Sequence, residues 1–161
     1  MNKVTWTGIF FYGNIIILII LLFILLDKRR LKELIPIALF ISIENYTVEI
    51  LGLHYHIWKY PLENPGYPEV TILSSLIYFP IVAMLFSQYL SKNIKKNILL
   101  IILFVSMNMI IEVITLKTSY LFIYGEKMNL WIAFFMYLSA YLLIILFKHF
   151  YEKLNLRMEK R

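Results

Sequence analysis

Five apolar runs, each close to twenty residues long and separated by short polar segments, leave this chain few folds to choose from. They cover 8–26, 34–53, 70–90, 97–116 and 129–147. At ~1.5 Å of helical rise per residue, each run matches the ~30 Å hydrocarbon thickness of a bilayer. Inside lipid a backbone must satisfy its own polar groups, which a helix does. Charged residues make up 16% of the 161 residues and hydrophobic ones 61%, whereas soluble domains carry roughly a quarter charged. The expected fold is therefore all-α: one polytopic membrane domain, 1–161, with five transmembrane helices. The first run is followed, not preceded, by its cluster of positive charge (Lys28, Arg29, Arg30, Lys32). A secretory signal has the opposite order, so this run is read as a retained span. Pro36 falls in the first turn of the second span, where its missing N–H is harmless. Pro80 predicts a kink in the third. The basic tail after 147 reads as a short helix lying on the membrane surface.

The basic residues set the orientation. Twelve of the 16 Lys and Arg lie in 28–32, 92–96 and the tail, which alternate loops place on one side; Lys3, Lys59, Lys117 and Lys127 lie on the other. The positive-inside rule predicts an outside N-terminus and a cytoplasmic C-terminus in the plasma membrane. Trp6, Trp58 and Trp131 then fall near the outer interface, as an aromatic belt would place them. The +6 charge is explained by orientation and anionic lipid, so nucleic acid is not expected as a partner. Membrane lipids are, together with a second copy or another membrane protein. With no cysteine in the chain, disulfides, thiolate nucleophiles and Cys-ligated metals are excluded. No phosphate-binding, nucleophile-elbow or zinc-protease motif is present, and no cofactor is expected.

The polar residues inside the spans single out one region. Glu44 and Glu49 sit within the second run and Glu112 within the fourth, where carboxylates are costly unless they face something other than lipid. Glu49 and Glu112 each lie fifteen residues into their run, ~22 Å from the basic side. Asn14, Ser74 and Ser75 fall at comparable depth; Glu44, Asn108, Tyr78 and Tyr137 form a layer nearer the middle. Asn45/Glu49 and Asn108/Glu112 are i,i+4 pairs, so each amide can hydrogen-bond its glutamate. The shared N-x-x-x-E pattern suggests parallel repeats over 34–90 and 97–147. Two carboxylates at one depth suit an acid/base couple, a proton relay or a cation site; they equally suit inter-helix hydrogen bonding. His54 and His56 open the loop above Glu49 and, with Glu49, Glu69 and Glu112, are the weak candidates for an N/O metal site. Trp58 and Tyr60 follow as belt or site residues, and Pro61, Pro65 and Pro68 stiffen the loop.

Two resemblances rest on quotable residues. An outward helix with a glutamate, then G-x-x-x-x-x-W-x-Y-P (Gly52 to Pro61), Pro68-Glu69 and a later N-x-x-x-E helix resembles a family of small polytopic membrane proteins of spore-forming Gram-positive bacteria. That resemblance implies a location and an architecture and no reaction; the richness in Ile, Lys and Asn agrees with a low-GC bacterium. Glu49 followed by Trp58-x-Tyr60, with Pro68-Glu69, resembles the heterodimer-type lycopene cyclase domain, which carries Asp where this chain has Glu49. Its P-x-E-E/D motif is half matched. This resemblance implies that Glu49 and Glu69 protonate a polyene and quench a carbocation. The sequence thus leaves three functions to compare. The first is an accessory or small-ligand-binding membrane protein using the polar cluster. The second is an intramembrane lipid or isoprenoid enzyme with Glu49, Glu69 or Glu112 as acid/base. The third is an oligomeric, ion-coupled carrier.

Overall fold

The computed structural model describes residues 3–61, 69–118 and 121–158. It is all-α, about 83% helical, and has five helices long and apolar enough to cross a membrane. They are α1 (Lys3–Leu25), α2 (Leu31–His54), α3 (Glu69–Gln88), α4 (Ile94–Thr118) and α5 (Leu130–Met158). Two short strands, β1 (Trp58–Lys59) and β2 (Ile123–Tyr124), pair antiparallel with Trp58 opposite Tyr124 and Lys59 opposite Ile123. This ladder lies at one end of the bundle; the basic segments 28–32 and 92–96 lie at the other.

Helix α3 is the axis. Two thirds of its span is buried, against about a fifth of each of the others, and it packs against α1, α2 and α5. The core runs through Ile37 and Ile41 of α2, Val82 and Phe86 of α3, Val105 of α4 and Tyr141 of α5. Phe86 is fully buried, with its ring 4.6 Å from Tyr141 and 5.4 Å edge-on to Phe104. The outward faces of the other four helices stay apolar, as at Phe23, Leu39, Leu99 and Phe135, which is the surface a hydrocarbon solvent matches.

The irregularities have local causes. The break expected at Pro80 takes the form of a π-helical turn, Ser74–Tyr78, just before it. There the Phe79 amide reaches back five residues to the Ser74 carbonyl. The Ser75 carbonyl takes the Ser42 hydroxyl instead, at 2.9 Å. Pro36 is not in a first turn, because α2 begins at Leu31. Its missing N–H leaves the Lys32 carbonyl, which accepts from the Tyr151 hydroxyl at 3.4 Å. Asn93 starts α4, its Oδ1 accepting from the Lys95 amide at 3.0 Å, as an N-cap does.

The tail differs from expectation: α5 continues unbroken to Met158 instead of giving way to a separate surface helix. Lys148 explains this. It is 7% exposed, pairs with Glu33 at 2.6 Å and Glu152 at 3.7 Å, and donates to the Ser87 carbonyl at 3.0 Å. Glu33 also pairs with Arg30 at 2.8 Å, and Arg30 donates to the Gln88 carbonyl. The Gln88 amide in turn donates to the Leu25 carbonyl at 3.2 Å. The lysine just past the apolar run thus ties α2, α3 and α5 together, and Gln88 extends the network to α1.

Candidate functional site

The site grows from the end of α2. His56 adopts a left-handed φ of 55°; the Ile57 amide donates to the Gly52 carbonyl (2.8 Å) and the His56 amide to the Leu53 carbonyl (3.2 Å). This is a Schellman cap, and it turns the chain back over its own helix. The Trp58 ring then lies on Gly52, where a Cβ would fall inside the ring's van der Waals envelope. From there Trp58 Nε1 donates to Glu49 Oε2 at 3.1 Å, and the Tyr60 hydroxyl donates to the same oxygen at 2.7 Å. His56 is exposed and serves the backbone. Since an L-residue in this conformation costs ~1 kcal/mol or more, His56→Gly is expected to raise the thermal midpoint of the solubilised protein. A fall would show that the imidazole itself does structural or ligand-binding duty.

The second loop repeats the device. β2 is held against β1, and the Gly125 amide donates to the Ile57 carbonyl at 2.7 Å; a Cβ on Gly125 would meet the His56 carbonyl. The Tyr124 hydroxyl donates to Glu112 Oε1, and Tyr137 of α5 lines the same cavity as Glu112. Burial first, then the bond to Glu112, raises the Tyr124 phenol above its ordinary value, so it remains a donor throughout the physiological range. Each glutamate is therefore met by a tyrosine from an aromatic-x-tyrosine step: Trp58-Lys59-Tyr60 for Glu49, Phe122-Ile123-Tyr124 for Glu112. Phe122 sits between the two, its ring 6.1 Å from Trp58 and 5.5 Å from both Tyr60 and Tyr124.

Glu49 (6% exposed) and Glu112 (7%) line a cavity of about 310 Å³ beneath the ladder. All five helices contribute to its wall, with Phe10 and Phe11 from α1, Val48 from α2, Val82 from α3, Ile111 from α4 and Ala140 from α5 among the apolar lining. Asn14, Glu44, Asn45, Trp58, Tyr60, Tyr78 and Asn108 line it too. The i,i+4 bonds expected within the helices are not the ones formed. Asn45 Nδ2 donates to Ser75 Oγ at 2.9 Å and Asn108 Nδ2 to the Tyr141 hydroxyl at 2.6 Å, and the loops supply donors to the glutamates instead. Asn14 Nδ2 donates within α1, to the Phe10 carbonyl at 2.7 Å.

Three expected members stand apart. Glu69 is exposed at the start of α3 and accepts from the Tyr12 hydroxyl at 3.0 Å, outside the cavity lining. His54 and His56 are exposed and likewise do not line it. Among the described residues no three His, Cys, Asp or Glu are grouped as ligands of a metal ion. Pro65 and Pro68 lie outside the described residues, and Pro61 is exposed in the turn after Tyr60. Sequence reasoning misses Tyr124 and Tyr141. Tyr124 is discoverable by aligning Phe122-x-Tyr124 with Trp58-x-Tyr60, whose tyrosines fall twelve and eleven residues after their glutamates; Tyr141 carries no such signal. No protein-family model, curated protein or solved structure is similar to this chain.

Proposed function

We propose that the chain is a multi-pass plasma-membrane protein, N-terminus outside, that binds a small, mainly apolar ligand beneath the ladder and has no catalytic role of its own. The observation carrying this reading is the convergence of Glu49 and Glu112, from two different helices, on one apolar-walled cavity. Ligand sites have this form: a concave, largely hydrophobic chamber with a few placed polar groups. The hydrogen bonds from Tyr60, Trp58 and Tyr124 fix where those groups point. In a bacterial plasma membrane the ladder end would face outward, with lipid around the apolar helices and a further protein or second copy able to dock on them.

The ladder register also supports reading 34–90 and 97–147 as parallel repeats. A two-fold axis through the Lys59–Ile123 pair exchanges Trp58-x-Tyr60 with Phe122-x-Tyr124.

The binding reading is tested by filling the chamber. Protein extracted in mild detergent should carry a small molecule detectable by native mass spectrometry, and Ala140→Phe, which places a ring in the cavity, should abolish that adduct without unfolding the protein. Identical adducts, or none in either protein, would contradict it.

The enzyme reading draws on one observation, two buried glutamates facing an aromatic wall, as a cyclase acting through a carbocation would need. The position of Glu69 outside the cavity weighs against the cyclase pairing of Glu49 with Glu69. A change in a single prenyl lipid or pigment on deletion of the gene would favour this second reading over the first.

A further inference from the structure

We infer that the ligand of this cavity is an organic cation, an ammonium group carried on a compact apolar body; the inference rests on the binding reading above. Three carboxylates line the cavity: Glu44, Glu49 and Glu112. Among the described residues no Lys, Arg or His lines it. Several donors on the wall are committed: Trp58 and Tyr60 to Glu49, Tyr124 to Glu112, Asn45 to Ser75 and Asn14 to the Phe10 carbonyl. Asn108, only 3% exposed and part of the cavity wall, has a buried Oδ1 with no donor among the described residues. A buried acceptor left without a donor costs ~1–3 kcal/mol, a cost that a ligand N–H relieves. The acidic side chains without a basic counterpart favour a cation, and the orphaned acceptor separately favours a hydrogen-bond donor; an ammonium group is both.

The charge is organic because the carboxylates are dispersed. They do not form a group that could hold a metal ion, and the wall between them is aromatic and aliphatic. Tyr78, Phe79 and Phe122 are among the lining residues, and aromatic rings attract ammonium groups. A volume of about 310 Å³ lies at the lower end of the ~300–1,000 Å³ typical of small-molecule sites, which suits a compact body.

The test uses three isosteres with the full-length protein in nanodiscs: 1-adamantylamine, 1-adamantanol and adamantane-1-carboxylate. Binding is read by tryptophan fluorescence, since Trp58 lines the cavity, and by calorimetry. The amine should bind at least tenfold more tightly than the alcohol, and the carboxylate should not bind. Glu49→Gln and Glu112→Gln should each weaken the amine about tenfold and leave the alcohol unchanged. Glu44→Gln serves as the variant that keeps the fold, since Glu44 makes no hydrogen bond or ion pair among the described residues; it should weaken the amine several-fold. Alcohol binding as tight as amine binding, with the amine indifferent to all three exchanges, would overturn the cation assignment and leave the binding reading intact. Failure of all three probes to bind folded protein would overturn both.

Discussion

Gly52→Ala is expected to destabilise the protein by about 1.5–4.5 kcal/mol, far more than a methyl group on a helix would otherwise cost. The added Cβ would lie within the Trp58 ring, and the ring has to leave. Overpacking of this kind costs ~1–3 kcal/mol. Moving the indole also removes its hydrogen bond to buried Glu49, which keeps the one from Tyr60; a lost hydrogen bond costs a further ~0.5–1.5 kcal/mol. Two other glycines provide the control. A Cβ added at Gly8 or Gly13 of α1 would meet nothing within 4 Å, so alanine at either should be neutral or stabilising by up to ~1 kcal/mol through helix propensity. Thermal unfolding of the detergent-solubilised variants separates the cases. Equal midpoints for Gly52→Ala and Gly13→Ala would show that the Trp58 clasp contributes nothing.

The second large effect lies at the opposite end of the bundle. Lys148→Ala removes a cation that is 7% exposed, pairs with Glu33 at 2.6 Å and donates to the Ser87 carbonyl at 3.0 Å. Breaking a buried pair by deleting one partner costs ~3–5 kcal/mol. Here Glu33 keeps Arg30 at 2.8 Å and is partly exposed, so about 2–4 kcal/mol is expected by the same reasoning. Lys148→Met keeps the aliphatic stem that packs among α2, α3 and α5 and should lose less. The double variant Lys148→Met/Glu33→Gln should recover part of that loss, since it removes the stranded carboxylate along with its partner. A double variant as unstable as the sum of its two single variants would show that the two residues are not coupled.

These two positions mark what can and cannot be read from a sequence of this kind. Length and polarity alone locate five apolar helices, and the polar residues within them point to Glu49 and Glu112, which line one cavity. What escapes are contacts made between distant segments. A two-residue ladder has too little periodicity to register as strand, so nothing links Tyr124 to Glu112 or Trp58 to Tyr124. Local i,i+4 spacing assigns the amides of Asn45 and Asn108 to their own helices; their actual partners, Ser75 and Tyr141, lie 30 and 33 residues away. Lys148 reads as the end of a span because hydropathy cannot tell a lysine that faces water from one that reaches Glu33. His54 and Glu69 are near Glu49 along the chain, but the Schellman turn at His56 leaves His54 exposed, and Glu69 engages Tyr12.

The central claim is that Glu49 and Glu112 face a ligand chamber and are not simply hydrogen-bonding the helices together. An experimental density map of the protein in lipid nanodiscs, taken at a resolution that shows side chains, tests it directly. The account predicts non-protein density beneath the β1–β2 ladder, between Glu49 and Glu112 and against the Asn108 amide. A collapsed cavity, with the two carboxyl groups bonded to each other or to the opposing helix, would contradict it.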